Sequence, residues 1–194
     1  MVSRLPRGRH GLTREQVVGS QRERIFRAMA ETMARKGYAG TSVSGMLRTA
    51  GVSRETFYEQ FSSKEECFIA AFEAAVGNVL GAVRDAPGFD GPPLERFESG
   101  LRAYLDTLAA DPAFARVLLI EVYAAGPEAM RRRAALQQGF VDAVDEAFGD
   151  RFGAEAFVAA ISSMVTTRLA VGDLEGLRAL HGPLIDLARR WLAS

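Results

Sequence analysis

Apolar residues recur at steps of three and four along almost the whole chain, and no stretch of useful length alternates apolar with polar. That period belongs to α-helices with one buried face, whereas a half-buried strand repeats every second residue. Glycine and proline then mark where each helix must stop. The expected fold is all-α. A first helix is expected over 20–36, ended by Gly37, with Ile25, Met29, Thr32 and Met33 inward. A short second helix follows Thr41 or Ser42, either of which can cap it, and stops at Gly51. Ser53 can cap a third, and Ser62 or Ser63 a long fourth carrying Cys67, Phe68, Ala71, Phe72, Val76 and Leu80. The stretch APGFDGPP at 86–93 is a break. Beyond it, helices are expected from Leu94, from the Asp111-Pro112 cap, from Gly126-Pro127 to Phe148, over 153–171, and from Pro183 to Trp191.

With 194 residues, 48% hydrophobic and 25% charged, the chain has the composition of a soluble globular protein and can bury a real core. Cys67 is its one cysteine, which rules out an internal disulfide and fits a reducing cytoplasm. Packed among apolar residues, it reads as a small core residue rather than a redox sensor. The longest aliphatic run, Val117 to Ile120, stops at Glu121, so no membrane span is expected. The basic N-terminus has no apolar stretch behind it and does not read as a signal peptide. His10 and His181 are isolated, and no metal or cofactor is implied.

A neutral total hides a strong asymmetry. Residues 1–64 hold twelve Lys/Arg against five Asp/Glu, a net +7, and the remainder carries −7. A basic first third on an acidic body points to a polyanion at one end only. That third also contains two short helical stretches joined by Ala50-Gly51-Val52, the pattern of a helix-turn-helix. Gly51 permits a left-handed turn, and Phe57 and Phe61, four apart, anchor the second helix. Arg54 and Glu55 at its start are placed to read base edges in a major groove, and Thr56 and Tyr58 to hold phosphates. Lys64, at the start of the next helix, is placed for another phosphate. Thr41, Ser44 and Gln60 complete the candidate DNA-facing set. Arg4, Arg7 and Arg9, in an arm spanning 1–18, either enter a minor groove or stay solvated, attracting phosphate in both cases.

The stretch TSVSGMLRTAGVSRETFYEQFSSKEECF, residues 41–68, carries a resemblance. Residues 22–68 resemble the DNA-binding domain of the tetracycline-repressor (TetR) family of bacterial regulators. The Thr-aromatic-Tyr core at 56–58, Phe61, and Ser-Lys-Glu at 63–65 correspond to the family signature. LPRGRHGLTREQV, residues 5–17, is similar to the N-terminal extension of many actinobacterial members. The resemblance implies a homodimer, a double-stranded DNA operator, and a helical C-terminal domain that binds a small-molecule effector and dimerises. Expected divisions are the arm at 1–18, the helix-turn-helix domain at 19–66 and the effector domain at 67–194. Glu55 departs from the family pattern, which often has glycine or alanine there, and Glu59 adds a second carboxylate near where phosphates should pass; Glu59 can instead pair with Arg48.

Beyond residue 85 only helix number and length agree with the family. Phe97, Tyr104, Leu118, Tyr123, Phe140, Met164 and Arg168 are candidates for an effector pocket, with core packing the plainer reading of the aromatics. Arg168 could face an acidic ligand, pair across a dimer interface, or snorkel to solvent. Glu121 is expected to pair with an arginine such as Arg132. Arg131, Arg132 and Arg133 read as a solvated helix surface. Phe157, Ile161, Val165, Leu184, Leu187 and Trp191, on the helices at 153–171 and 183–193, form the expected dimer face. The leading reading is a repressor released from a pseudo-palindromic operator by its effector. A helical ligand-binding or adaptor protein is the alternative, and an enzyme finds no catalytic constellation to support it.

Overall fold

The computed structural model describes residues 13–192, and within them the chain is all-α. The elements are α1 (Arg14–Gly40), α2 (Val43–Ala50), α3 (Arg54–Tyr58), α4 (Lys64–Arg84), α5 (Pro93–Ala110), α6 (Pro112–Leu119), a single 3-10 turn (Glu121–Ala124), α7 (Pro127–Phe148), α8 (Arg151–Val171), α9 (Leu174–Ala179) and α10 (His181–Leu192). Most boundaries follow the caps in the sequence. Ser42, Ser53, Ser63, Asp111 and Asp150 each accept a hydrogen bond from a backbone N–H in the first turn that follows. Several boundaries differ from expectation. Helix α1 starts at Arg14, inside the expected arm, because Thr13 and Gln16 form a reciprocal capping box. The expected helix from Pro183 begins earlier, at His181, and the short α9 precedes it, capped by Asp173. Arg4, Arg7 and Arg9 lie outside the described residues.

Helices α1 to α3 form a small trio around Ile25, Met29, Met33, Met46, Phe57 and Phe61. Phe61 packs against both Phe26 and Phe57, with ring centroids 5.9 and 5.5 Å apart. Helix α4 leaves this trio and runs along α5 and α6, so one continuous core joins the two ends of the molecule. Helices α5 and α7 lie antiparallel, as their aromatic pairs show: Phe97 meets Phe148 and Tyr104 meets Phe140. Helix α8 packs on α7, and α9 and α10 close over α5.

The lack of a long aliphatic run does not mean that no helix is apolar. By length and composition α4 and α8 could each cross a membrane, yet both pack against neighbouring helices. Helix α4 buries Cys67, Phe68, Phe72 and Val79, with burial pushing the Cys67 thiol up to about 12, as an inert core thiol requires. Of the expected dimer face, Phe157, Val165 and Leu184 are buried within the fold, and Phe157 packs on Phe97 and Trp191. Helix α8 instead exposes Met164 and Val171, and α10 exposes Leu187.

The end of α1 is held from two sides. Gly37 takes a left-handed φ of 68°, which breaks the helix and turns the Tyr38 N–H away from its intrahelical acceptor. Glu121, only 5% exposed, accepts that N–H at 2.7 Å. Its partner charge is Arg116 at 3.2 Å rather than Arg132, which pairs with Glu73 and Glu128. On the other side the Lys64 ammonium donates to the carbonyls of Tyr38 and Thr41, at 2.9 and 3.1 Å, and sits over the Tyr38 ring. Replacing Glu121 by alanine leaves a half-buried N–H and a half-buried guanidinium unpaired. It should cost about 2–3 kcal/mol in urea denaturation, with Glu121→Gln costing less because the amide oxygen still accepts from Tyr38. Equal losses in the two variants would show that the Tyr38 hydrogen bond contributes nothing.

Candidate functional site

The N-terminal trio presents α2 and α3 outward. Gly51 ends α2 in the left-handed conformation (φ 62°), and its N–H returns to the Leu47 carbonyl. Ser53 then starts α3, its hydroxyl accepting from the Thr56 N–H at 3.0 Å and lying 2.8 Å from the Thr56 hydroxyl. With Phe57 fully buried, the turn of helix at 54–58 must show Arg54, Glu55 and Tyr58 to solvent. Tyr58 is 45% exposed, edge-on to Phe57, with the Arg54 guanidinium over its ring. The stacking aligns the arginine along the helix and leaves the phenolic hydroxyl outward.

The candidate residues therefore divide. Ser44, Arg54, Glu55 and Tyr58 are exposed together, with Thr56 half-buried behind them. Thr41, Gln60 and Lys64 are used inside the fold. Thr41 is buried and donates its hydroxyl to the Gly37 carbonyl. Gln60 donates to Gln21 on α1, and its own oxygen is buried. Lys64 is committed to the end of α1, and burial lowers its pKa from the usual lysine range. Arg48, exposed one helical turn after Ser44, is an addition: with Ser44 and Arg54 it lines the shallow groove between α2 and α3. The i, i+4 spacing from Ser44 carried that signal in the sequence. Below the groove, Glu66 accepts both the N–H and the hydroxyl of Ser62. These bonds hold its carboxyl below the usual carboxylate range and fix the entry to α4.

The opposite end of the molecule holds a cavity of about 350 Å³ bounded by α4, α5, α7 and α8. Val76, Val79, Leu80 and Val83 of α4 form one wall, and Phe97, Leu101 and Tyr104 of α5 another. Helix α7 contributes the face Arg133, Leu136, Gln137, Phe140, Val144 and Ala147; Val158, Ile161 and Ser162 come from α8. Leu118 and Leu119, at the end of α6, complete it. Of the sequence candidates, Phe97, Tyr104, Leu118 and Phe140 line this space. Tyr123, Met164 and Arg168 do not. Tyr123 is 54% exposed beneath the Arg133 guanidinium, Met164 faces solvent, and Arg168 pairs with Asp173 at 3.0 Å on the surface.

The run 131–133 is not uniformly solvated. Arg131 and Arg132 pair with surface carboxylates, whereas Arg133, rotated onto the Phe140 face, enters the cavity. Its guanidinium donates to Gln137 at 3.0 Å and to Ser162 at 3.3 Å. Tyr104 lies near it, and burial raises the phenol's pKa, opposed in part by the Arg133 charge.

Comparison with known proteins bears on both ends of the molecule. Over 172 residues the chain is 25% identical to the HTH-type transcriptional activator FasR of Mycolicibacterium smegmatis, covering 89% of this chain and 72% of that protein. The fold is similar to the Bacillus subtilis transcriptional regulator FadR solved in complex with stearoyl-CoA. That match has a TM-score of 0.70 at 20% identity and covers 85% of this chain and 96% of the other. It is similar also to the fatty acid degradation regulator FadR of Bacillus halodurans, with a TM-score of 0.73 at 23% identity, covering 86% and 93%. Residues 25–71, spanning most of α1, all of α2 and α3, and the start of α4, match the family model of bacterial regulatory proteins, tetR family. The N-terminal helix-turn-helix, residues 25–71, is thus that of the tetR family of bacterial regulatory proteins.

Proposed function

We propose that the chain is a homodimeric repressor that leaves a pseudo-palindromic operator when an acyl-type effector fills the cavity. The observation that carries this reading is the route between the two ends. The segment from Asp111 to Glu121 lines the cavity with Leu118 and Leu119 and also grips α1. Asp111 pairs with Arg27 of α1 at 2.6 Å, and Glu121 holds the Tyr38 N–H. A ligand that displaces Leu118 and Leu119 therefore acts on the same rigid piece that positions the helix-turn-helix. Helix α4 carries cavity residues and the Lys64 clamp on one rod and forms a second lever. To reverse a hundredfold bias between two states, the effector must prefer one of them by about 5.5 kcal/mol. The acyl class is supported by the cavity's apolar walls and by the stearoyl-CoA bound to the similar Bacillus subtilis regulator.

Dimerisation is supported by α8. Ala156, Ser163, Met164, Thr167 and Val171 fall on one side of that helix, are exposed, and include no charge. With Leu187 of α10 they offer a neutral seam to a second copy. Two copies would set their α3 helices in successive major grooves, about one helical turn apart.

Anisotropy titrations against the neighbouring promoter fragment test the DNA half. Affinity should fall with salt on a log–log slope of roughly −5 to −9. Arg54→Ala should relax discrimination at one base pair by about 1–3 kcal/mol, whereas Tyr58→Phe should weaken all sequences alike. Unchanged base preference in Arg54→Ala removes that side chain from the groove. In sedimentation experiments Met164→Glu should shift the protein to monomer and reduce operator affinity without lowering monomer stability. A Met164→Glu protein that stays dimeric places the interface elsewhere.

A further inference from the structure

We infer that the effector is a long-chain carboxylate whose head is seated on Arg133 beside Tyr104, Gln137 and Ser162, with its alkyl chain lying along α7 toward Phe148. This deepens the reading of the cavity as an effector site and rests on it.

The inference begins with a charge that lacks a counter-charge. Arg131 and Arg132 have Glu128 and Glu73 as partners, but among the described residues Arg133 pairs with no carboxylate. Its two polar contacts, Gln137 and Ser162, are neutral, and its Nε is buried without a hydrogen-bond partner. The guanidinium is half-buried, with one face on the Tyr123 ring, and where it meets the cavity a neighbouring anion would offset the remaining cost of desolvating its charge. A planar guanidinium matches a carboxylate with paired, charge-assisted hydrogen bonds. Tyr104 adds a phenolic donor that burial keeps protonated.

The remaining walls set the rest of the ligand. Beyond this polar corner α7 contributes Phe140, Val144 and Ala147, and α5 contributes Leu101 and Phe97. From Arg133 to Ala147 the α7 face extends about 20 Å, a slot suited to an extended alkyl chain. At the far end the lining carries both Arg96 and Glu146, charges of opposite sign, with Phe89 and Pro93. One guanidinium with neutral neighbours fits a single negative charge. A phosphate dianion would call for a second cation, and a thioester carbonyl brings no charge at all.

Calorimetric titration of the delipidated full chain with hexadecanoate, methyl hexadecanoate and hexadecanoyl-coenzyme A tests this. The acid should bind one per chain, about 10- to 100-fold more tightly than the methyl ester. Arg133→Gln should abolish that preference while keeping ester affinity, and Arg96→Gln should leave acid affinity within about twofold. If Arg133→Gln does not melt cooperatively, Arg133→Lys and Ser162→Ala are expected to reduce the preference part-way. Equal affinity for acid and ester, a preference that survives loss of the Arg133 charge, or tighter binding of the coenzyme A thioester than of the acid would overturn the inference while leaving an acyl cavity. If none of the three binds to protein that still holds its operator, the effector reading of the cavity fails instead.

Discussion

One buried carboxylate organises the molecule. Glu121 sits in a 3-10 turn far along the chain, yet it supplies the acceptor that the Gly37 break in α1 would otherwise lack. Broken helix ends expose polar groups that must find partners, and here an acid and a base from different elements share the task. Glu121 takes the N–H and Lys64 takes the carbonyls. The N-terminal trio is thereby tied at one point to the cavity segment and to the first turn of α4. Because these bonds are directional, they transmit a rotation better than apolar contact, which can slide.

Much of this was legible in the residues. Most of the helices, the turn at Gly51 and the caps at Ser53 and Asp111 follow from local rules, because a cap acts within four residues of itself; the short α9 was not expected. The exposed group Ser44, Arg54, Glu55 and Tyr58 was equally readable once Phe57 was set inward. The internal bonds of the other candidates were less legible. Lys64 and Gln60 look like free surface donors in the sequence, and their partners Tyr38 and Gln21 become neighbours only when helices pack; Thr41 instead bonds locally, to Gly37 four residues back. Glu121 was assigned the wrong arginine.

Arg133 is a different kind of miss. A run of three arginines invites one shared reading, yet successive helical residues turn by about 100°, so three in a row cannot share one environment. Counting from Phe140 puts the third on the cavity face. Leu187 remains exposed although Leu184, nearly one turn earlier on the same short helix, is buried. Tyr123 and Met164 were drawn into the pocket by their apolar character, although the helix faces that carry them point outward.

Trp191, the chain's one tryptophan, stacks on Phe148 at 4.9 Å, meets Phe157, and donates its indole N–H to Asp150, the cap of α8. Phe148 is itself part of the cavity wall. The indole thus touches the ring beside the cavity and the residue that starts a helix of the proposed interface. Excited selectively over the four tyrosines, the one indole would register changes at either place in a single optical signal without a label. At Gly153 an added Cβ would collide with both Trp191 and Asp150, so any side chain there would displace that built-in reporter.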